Sequence, residues 1–570
     1  MFRNEKIIET KTCKQCNASF EITNKDVEFY EKVSPVFQGK KYIIPSPTFC
    51  PDCRQQRRLS FRNERKLYKR KCDATGKEII SIYSPDKLYK VYEQNYWWSD
   101  NWNPLDYGIN FDFNKSFFKQ FEELIKEVPR CALEASDNEN SNFTNHSARL
   151  KDCYLIFDAG FDKNCYYSAM ISYSNDCIDC LKIDNSEVCY ECVDCKGCYN
   201  LIYSVRNNDC RKSYFLYNCS NCEYCFGCVN LNNKKYYIFN KEFSKEKYFE
   251  ELNNLLRKGI YNEELKKEVR NHIIRLPFKE NYIISSENCS GNNIYSSMNA
   301  ISCFDVSDVN DVKYSQALHK AQNCMDVTVW GGNASNICEC MSIGPNSSNL
   351  LFCFLSYPES NNLIYCGNCM NGIKNCFGCI GLKNNKQYCI LNKQYTKEEY
   401  ETLVLKIIEH MMTTKEWGEF FPSSISPFGY NETVAMEYFP ISRDKALPYL
   451  YKWSDYEPPF PKVDKIIPAN KLPENIADIP DDILNRAIEC EITKKPFRII
   501  KQELEFYRKH NLPIPKRHPD QRHLDRMKLR NPRNLFDRKC DKCGKNIKTT
   551  YSPDRKEIVY CEECYIGEVY

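Results

Sequence analysis

The sequence lacks the features that mark a membrane-spanning or exported protein. No stretch approaches the roughly 18 uninterrupted apolar residues that a membrane helix needs. The first residues, MFRNEKIIETKTC, contain no apolar segment that could serve as a secretory signal. We therefore expect a cytoplasmic protein with no membrane partner.

Common catalytic motifs are also missing. The chain has no Walker loop, no Gly-x-Gly-x-x-Gly after a strand and no His-Glu-x-x-His. These absences argue against nucleotide hydrolysis, dinucleotide binding and zinc-protease chemistry, so we expect a protein that is not an enzyme. With 570 residues, the chain exceeds one ordinary core and predicts several domains.

Cysteine, by contrast, is abundant. There are 35 cysteines but only 7 histidines. An odd number of cysteines without an export signal does not indicate a disulfide framework. We expect thiols in a reducing compartment, where they serve as metal ligands or as small core residues.

The two ends of the chain are copies of one module. Residues 62–79 (RNERKLYKRKCDATGKEI) align without a gap with residues 530–547 (RNPRNLFDRKCDKCGKNI). The match continues from Tyr83-Ser84-Pro85-Asp86 to Tyr551-Ser552-Pro553-Asp554. A repeat this long indicates that both ends have the same fold.

Each module has two potential metal knuckles, and each copy has kept a different one intact. Pairs of Cys-x-x-Cys give four thiolates, which suit the tetrahedral shell of a structural Zn²⁺ ion. The alternative is buried free cysteines. The other knuckle of each module is a remnant that has lost most of its cysteines. The remnant keeps Cys72 in the first module and Cys490 in the second, where His518 could help to hold a weakly bound metal. We predict two structural zinc ions, with these ligands: Cys13, Cys16, Cys50 and Cys53 for one, and Cys540, Cys543, Cys561 and Cys564 for the other.

The N-terminal segment resembles a known family. Cys13-x-x-Cys16, Phe20, VEFYEK and Cys50-Pro-Asp-Cys53-Arg54 are similar to the probable zinc-ribbon (treble-clef) family of bacteria. The phrases RKCDATGKEIISIYSPD and NYWWSD resemble uncharacterised, cysteine-rich proteins of reduced-genome bacteria, over most of the chain. These resemblances imply zinc binding in the cytoplasm and no established activity.

Positive charge is concentrated on both modules. Residues 54–71 hold nine Lys or Arg and one Glu, and residues 494–539 hold fifteen Lys or Arg against five acidic residues. We expect 54–71 to be a helix with one basic face that contacts RNA phosphates. The alternatives are a solvated helix and a helix paired with the acidic remainder of the chain. The predicted nucleic-acid contacts are Arg54, Arg57, Arg58, Arg62, Arg65, Lys69, Arg526, Arg530 and Arg533.

The middle of the chain repeats every twelve residues. Cys153, Cys165, Cys177 and Cys189 mark the step, and short Asx-rich turns separate brief apolar runs. This pattern is typical of a parallel β-solenoid. A second array ends with a similar phrase, since NNKKYYIFNKEFSKEKY recurs as NNKQYCILNKQYTKEEY. Each array leads into a predicted helical cap, near 244–275 and 396–417.

The solenoid cysteines allow three interpretations: a buried ladder, a metal or iron–sulfur site, and disulfides. The runs from Cys189 to Cys198 and from Cys219 to Cys228 only approximate a ferredoxin motif. The second array has Met370 where Cys219 stands in the first. We favour the ladder, because an apolar residue cannot replace a ligand.

Two further segments have predicted roles in packing or as a connection. Trp97, Trp98 and Trp102 could form an exposed docking patch, but packing of the first module on the solenoid is favoured. Residues 421–482 are rich in proline and predict an extended strap.

The fold class that follows is mainly β: a duplicated parallel β-solenoid with helical caps, flanked by two small α+β zinc-ribbon or treble-clef modules. The predicted domains are 1–110, 111–275, 276–420, 421–482 and 483–570. The leading functional hypothesis is a non-catalytic adaptor for RNA or a ribonucleoprotein. The alternatives are a protein–protein scaffold that uses the solenoid face, and a carbohydrate-active β-helix enzyme. The densest polar cluster for an enzyme comprises Asp305, Asp308, Asp311, His319 and Lys320.

Overall fold

The computed structural model describes residues 5–257, 259, 263–460, 462–463 and 465–569. It is mainly β, and its main feature is the predicted parallel β-solenoid. The predicted ranges 244–275, 421–482 and 483–570 each include positions outside the described residues.

The chain divides into two compact units, and each combines one end module with one solenoid array. The first unit comprises Met1–Leu133, Asn281–Tyr456 and Arg533–Leu535. The second comprises Glu134–Glu280, Glu457–Pro532 and Phe536–Tyr570. The N-terminal module is therefore grouped with the second array, and the C-terminal module with the first array. This grouping differs from the linear order of domains that the sequence predicts.

The solenoid has the predicted step of twelve residues. Phe157 pairs with Ala169, and Ala169 pairs with Leu181, in parallel register. A finer period of three lies within each turn: Asp152 and Leu155 have φ values of 54° and 50°. Asn and Asp tolerate this left-handed conformation better than other residues with a side chain, which explains the Asx-rich turns.

The residue that follows each left-handed position points into the solenoid. In the first array these inward residues include Cys153, Ile156 and Cys165, which are at most 2% exposed. The cysteines and the small aliphatic residues form one buried cluster in each array. The predicted cysteine ladder is thus the core of the solenoid.

The second array changes its step along the chain. Phe304 pairs with Gln316, a step of twelve, whereas Ser335 pairs with Ser348, a step of thirteen. The change follows Trp330-Gly331-Gly332, which all have positive φ. This difference accounts for the looser cysteine spacing of the second array.

The N-terminal module contains short strands and helices. Its strands are Ile7–Thr12, Ser19–Thr23, Val36–Phe37, Lys40–Lys41, Tyr68–Lys71, Glu78–Ser81, Val91–Tyr92 and Arg130–Cys131. Its helices are Asn24–Val33, Pro51–Leu59, Gln94–Trp98, Phe117–Glu127 and the 3₁₀ helix Pro104–Tyr107.

The second array completes the first unit. Its strands are Ile283–Ile284, Gly291–Tyr295, Met298–Ile301, Cys303–Lys313, Gln316–Ile343, Ser348–Leu351, Phe354–Tyr357, Asn361–Ile364, Gly367–Met370, Lys374–Phe377, Gln387–Ile390 and Lys393–Gln394. The helices that follow are Lys397–Thr413, Ser423–Ile425, Tyr430–Glu432, Ala435–Tyr438, Arg443–Ala446 and Leu447–Tyr449.

The second unit begins with the first array. Its strands are Ala135–Ser136, Asn145–Ala148, Phe157–Gly160, Ala169–Ser172, Leu181–Asp184, Val193–Lys196, Tyr199–Ile202, Arg211–Tyr214, Glu223–Phe226, Lys235–Ile238 and Lys241–Glu242, with Phe278–Lys279 after the helices Lys245–Leu256 and Glu263–Ile274.

The C-terminal module completes the second unit. Its strands are Ile466–Pro468, Ala487–Glu489, Pro496–Phe497, Phe536–Lys539, Asn546–Thr549 and Val559–Tyr560. Its helices are Lys501–Lys509, Pro519–Met527 and Glu562–Val569, with 3₁₀ turns at Ala469–Lys471, Ile476–Asp478 and Asp481–Asn485.

Helices follow both arrays, as predicted. Lys245–Leu256 packs against the strand Lys235–Ile238 of the first array, and its Tyr248 is buried. Lys397–Thr413 packs in the same way on the second array. Within the described residues, no helix is long and apolar enough to cross a bilayer.

The tryptophans and the proline-rich segment belong to packed regions. Trp97 is 1% exposed, and the ammonium group of Lys383 in the second array lies 4.6 Å from the ring centroid of Trp102. This contact confirms that the first module packs on a solenoid array. Phe421 and Tyr430 are buried in the core of the first unit, so the start of the predicted strap is part of that core.

Candidate metal centres and the arginine clusters

Four cysteines of the N-terminal module converge on one point. Cys13 and Cys16 lie in the turn between the strands Ile7–Thr12 and Ser19–Thr23. Cys50 caps the helix Pro51–Leu59, and Cys53 lies in its first turn. The four sulfur atoms all lie within 4.8 Å of one another.

The C-terminal module repeats this arrangement. Cys540 and Cys543 lie in the turn between the strands Phe536–Lys539 and Asn546–Thr549, and Cys561 and Cys564 lie at the start of the helix Glu562–Val569. Their sulfur atoms also lie within 4.8 Å of one another. In both copies, therefore, a hairpin turn faces the N-terminus of a helix.

Both clusters suit a tetrahedral ion. The sulfurs of Cys16 and Cys50 are 3.6 Å apart, and those of Cys543 and Cys561 are 3.8 Å apart. Zinc–sulfur bonds of about 2.3 Å in a tetrahedron place sulfur atoms about 3.8 Å apart. A disulfide would instead require about 2.05 Å. The two groups can therefore hold two metal ions, and a closed shell of four thiolates leaves no position for a substrate.

In each cluster one sulfur, that of Cys50 or Cys540, is held as a thiolate, whereas the pKa values of Cys16, Cys53, Cys561 and Cys564 are raised by burial or by neighbouring cysteines. Burial of the Cys540 thiol acts to raise its pKa, but the backbone N–H groups of Cys543 and Cys561 stabilise the thiolate and lower the pKa to about 6. The hydrogen bond from the Cys53 thiol lowers the pKa of Cys50 to about 5. Thiolates are the form that binds metal.

The two remnant knuckles keep the same local fold. Cys72 follows the strand Tyr68–Lys71, and the Glu93 backbone N–H donates to its sulfur at 3.3 Å. The Cys561 N–H donates to Cys540 at 3.2 Å in the intact copy. Cys490 accepts a bond from the Thr493 N–H at 3.4 Å. The Cys72 thiol thus keeps the backbone hydrogen bond that its counterpart Cys540 accepts in the intact knuckle.

The basic helix of the first module is buried against acidic residues of the second array. Arg54 Nε donates to Asp326 Oδ2 at 2.9 Å, and Arg58 Nη1 donates to Asp326 Oδ1 at 3.2 Å. Arg57 Nη2 donates to Glu339 Oε1 at 2.8 Å. All three arginines are at most 4% exposed.

The second unit contains the equivalent cluster. Arg522 and Arg526 both bond to Asp179 of the first array. Arg530 Nε donates to Asp194 Oδ2 at 3.1 Å. Arg522, Arg526 and Arg530 occupy the same repeat positions as Arg54, Arg58 and Arg62. Sequence reasoning missed Arg522 and the carboxylates, although the acidic balance of the remaining chain indicated internal pairing as one alternative.

The expected exposed face of phosphate-contacting arginines is therefore not formed. Carboxylates within each unit neutralise these side chains, and packing removes them from solvent. Of the nine predicted contacts, only Lys69 is exposed. The other eight are buried or largely buried, with these partners: Asp326 for Arg54 and Arg58, Glu339 and Glu419 for Arg57, Ser342 and Glu64 for Arg62, Glu437 for Arg65, Asp179 and Glu191 for Arg526, Asp194 for Arg530, and Asp305 for Arg533.

The predicted helix over 54–71 is also shorter than expected. It begins at Pro51 and ends at Leu59, and the strand Tyr68–Lys71 follows. The Asn63 side chain accepts a hydrogen bond from the Lys66 N–H at 2.9 Å and donates to the Lys66 carbonyl at 2.8 Å. This local turn competes with helix continuation, so Arg62 and Arg65 lie in a loop.

The solenoid cysteines are free thiols that bond to the backbone. Cys165 Sγ donates to the carbonyls of Lys163 and Ser174, at 3.3 and 3.4 Å. The same pattern recurs along both arrays, for example at Cys353. Among the described residues, the two groups of four terminal cysteines are the clusters that could hold a metal.

The aspartates of the polar cluster considered for an enzyme lie in turns of the solenoid. Asp305, Asp308 and Asp311 have φ values of 59°, 54° and 52°, so they occupy left-handed turn positions, as the turn interpretation predicts. Asp305 pairs with Arg533, and His319 Nδ1 lies 2.7 Å from Ser307 Oγ on the exposed surface.

No family model matches the chain, and a comparison with curated proteins finds no match. The resemblance to zinc-ribbon proteins therefore stays a prediction.

Proposed function

We propose that this protein is a non-catalytic adaptor that binds a partner protein on the exposed faces of a zinc-stabilised solenoid. In this proposal two Zn²⁺ ions shape the end modules, and buried arginines fix each module to an array. The observation that carries it is the use of the same arginine–aspartate contact in both units, at Arg58–Asp326 and Arg526–Asp179. Because these arginines attach each module to its array, we place partner binding on the exposed faces of the solenoid.

The second array offers a regular polar face. The side-chain amides of Asn336, Asn349, Asn362 and Asn375 form a continuous chain of hydrogen bonds at 3.1, 2.9 and 2.9 Å. Such a ladder fixes the side chains of successive turns and presents uncharged amides to solvent. A rigid, uncharged face is suited to binding a protein with little salt dependence.

The test is affinity capture with zinc-loaded protein at low and high salt, followed by identification of the bound proteins. We expect one partner that stays bound at high salt and is lost from the variant Asn349→Lys. The matched control is Asp308→Asn, an exposed change elsewhere on the same array. Equal capture by wild type and Asn349→Lys would contradict the use of this face.

A second candidate, an adaptor for RNA or a ribonucleoprotein, is favoured by one observation. The hairpin Tyr68–Lys71/Glu78–Ser81 and its C-terminal counterpart carry exposed lysines at equivalent positions, Lys71 with Lys539 and Lys77 with Lys545. These lysines, rather than the buried arginines, could contact phosphates.

The RNA candidate predicts binding of a mixed RNA pool that weakens steeply between about 50 and 200 mM salt. At each salt concentration, the double variant Lys71→Glu/Lys539→Glu should bind the RNA pool more weakly than the wild type does, without unfolding. Binding that is unchanged in this variant would contradict the candidate.

The proposed function includes the identity of the metal and the cellular compartment. Zinc is chosen because four thiolates in a tetrahedron are its usual structural shell. A reducing cytoplasm is proposed because none of the 35 cysteines, all of them among the described residues, forms a disulfide, even where pairs are closely spaced inside the solenoid.

A further inference from the structure

A groove on the first array has no part in the contacts described above. Its volume is about 340 Å³, which falls in the range of roughly 300–1,000 Å³ that small-ligand sites occupy. It lies entirely within the second unit. The lining residues that matter here are Tyr173, Asn185, Glu187, Gly197 and Arg211.

An aromatic stack ends at this groove. The Arg149 guanidinium lies 5.0 Å from the centre of the Phe161 ring, and Phe161 stacks on Tyr173 with centroids 4.6 Å apart and an interplanar angle of 8°. Phe161 belongs to the preceding turn and covers one face of Tyr173. The other face is directed toward the next turn, where the groove begins, and Tyr173 is 57% exposed.

A glycine interrupts the column of side chains beside the groove. Phe161, Tyr173, Asn185 and Gly197 occupy the same position in consecutive turns of twelve residues. At Gly197, φ is +63°, and an added Cβ would lie 2.3 Å from Asp209 Oδ1. The column of side chains is therefore interrupted directly beyond Asn185.

Unpaired polar side chains line the rest of the groove. Asn185, Glu187 and Arg211 are exposed, and within the described part of the chain their side chains make no hydrogen bond or ion pair. An amide, a carboxylate and a guanidinium can together donate to and accept from neighbouring hydroxyl groups. The charges of Glu187 and Arg211 cancel, so the groove does not select a polyanion.

We propose that this groove binds a neutral oligosaccharide, with one sugar ring stacked on Tyr173 and its hydroxyls bonded to Asn185, Glu187 and Arg211. An exposed aromatic face beside side chains with free hydrogen-bonding capacity is suited to a flat, hydroxyl-rich ring. The inference adds a ligand class to the proposed adaptor and rests on it only in treating the solenoid as a non-catalytic binding surface.

The test is isothermal titration calorimetry of the zinc-loaded full chain with cellohexaose, maltohexaose and chitohexaose. We expect saturable binding of at least one of these hexasaccharides. The variant Tyr173→Ala should weaken its affinity by about tenfold. Tyr295→Ala removes an exposed aromatic residue in the other unit and should leave the affinity unchanged.

Two results would overturn the proposal. One is no binding of any of the three sugars up to about 5 mM, a concentration at which a weak specific site would be detected. The other is Tyr173-dependent binding of a short single-stranded RNA with which the sugars do not compete. Zinc content and partner capture, measured on the same samples, report the adaptor proposal separately.

Discussion

Arg526 donates a hydrogen bond from Nη1 to Oδ1 of Asp179 at 2.9 Å, and both side chains are almost fully buried. Asp179 has a φ of 55°, and its counterpart Asp326 has a φ of 58°. The left-handed positions of the solenoid thus project carboxylates outward to the arginines of the modules. Removing one partner of such a pair strands a buried charge.

The first prediction follows from this pair. Asp326→Ala should lower the free energy of unfolding of the first unit by about 3–5 kcal/mol, because Arg54 and Arg58 lose their shared carboxylate. Chemical denaturation followed by circular dichroism measures the change. Asp308→Ala, at an exposed left-handed turn position of the same array, is the matched control: it carries the same backbone cost, about 1 kcal/mol, but strands no buried charge. Equal effects of the two changes would refute the role of the buried pair.

The second prediction concerns pH. Burial raises the pKa of Asp162, which is 1% exposed, to about 8, whereas an unfolded Asp titrates near 3.9. Between these values the folded state holds a proton that the unfolded state releases, so stability falls as pH rises from about 4 to 8. Asp162→Asn removes the titrating group and should reduce this loss.

Thermal unfolding of wild type and Asp162→Asn at pH 5 and pH 8 checks the pH prediction. The variant should gain stability relative to wild type at the higher pH, by a few kcal/mol at most. If the stability of the wild type relative to the variant instead rises with pH, the raised pKa of Asp162 is contradicted.

The third prediction concerns the thiols of the solenoid. Apart from the partly exposed Cys289, these thiols are buried, so they should be unreactive toward Ellman's reagent in the native, metal-loaded protein. In denaturant with a chelator and no reductant, all 35 should react. A lower count would indicate disulfides, and iron with acid-labile sulfide in the purified protein would indicate a cluster.

Much of the fold was accessible from the sequence because it repeats. The step of twelve from Cys153 to Cys189, and the alignment of 62–79 with 530–547, both report structural periods directly. The eight metal ligands were also predictable, because Cys-x-x-Cys fixes two sulfurs on one turn. These signals are local, and local spacing determines local geometry.

The fate of the arginines was not predictable in the same way. The spacing of Arg54 and Arg58 places them on one helix face, but it does not say what that face contacts. Their partner Asp326 is 272 residues away from Arg54 and resembles any other turn aspartate. The pairing of each end module with one array likewise depends on long-range packing that no short motif records.

The most direct test of the two metal centres is the metal content of the purified protein, measured by mass spectrometry. We expect two zinc ions per chain in the wild type, one in Cys50→Ser, one in Cys561→Ser and none in the double variant. Cys303→Ser, a change of a buried solenoid thiol, should retain both ions. A wild-type protein without bound zinc, or with zinc that persists in the double variant, would contradict the assignment of the two centres.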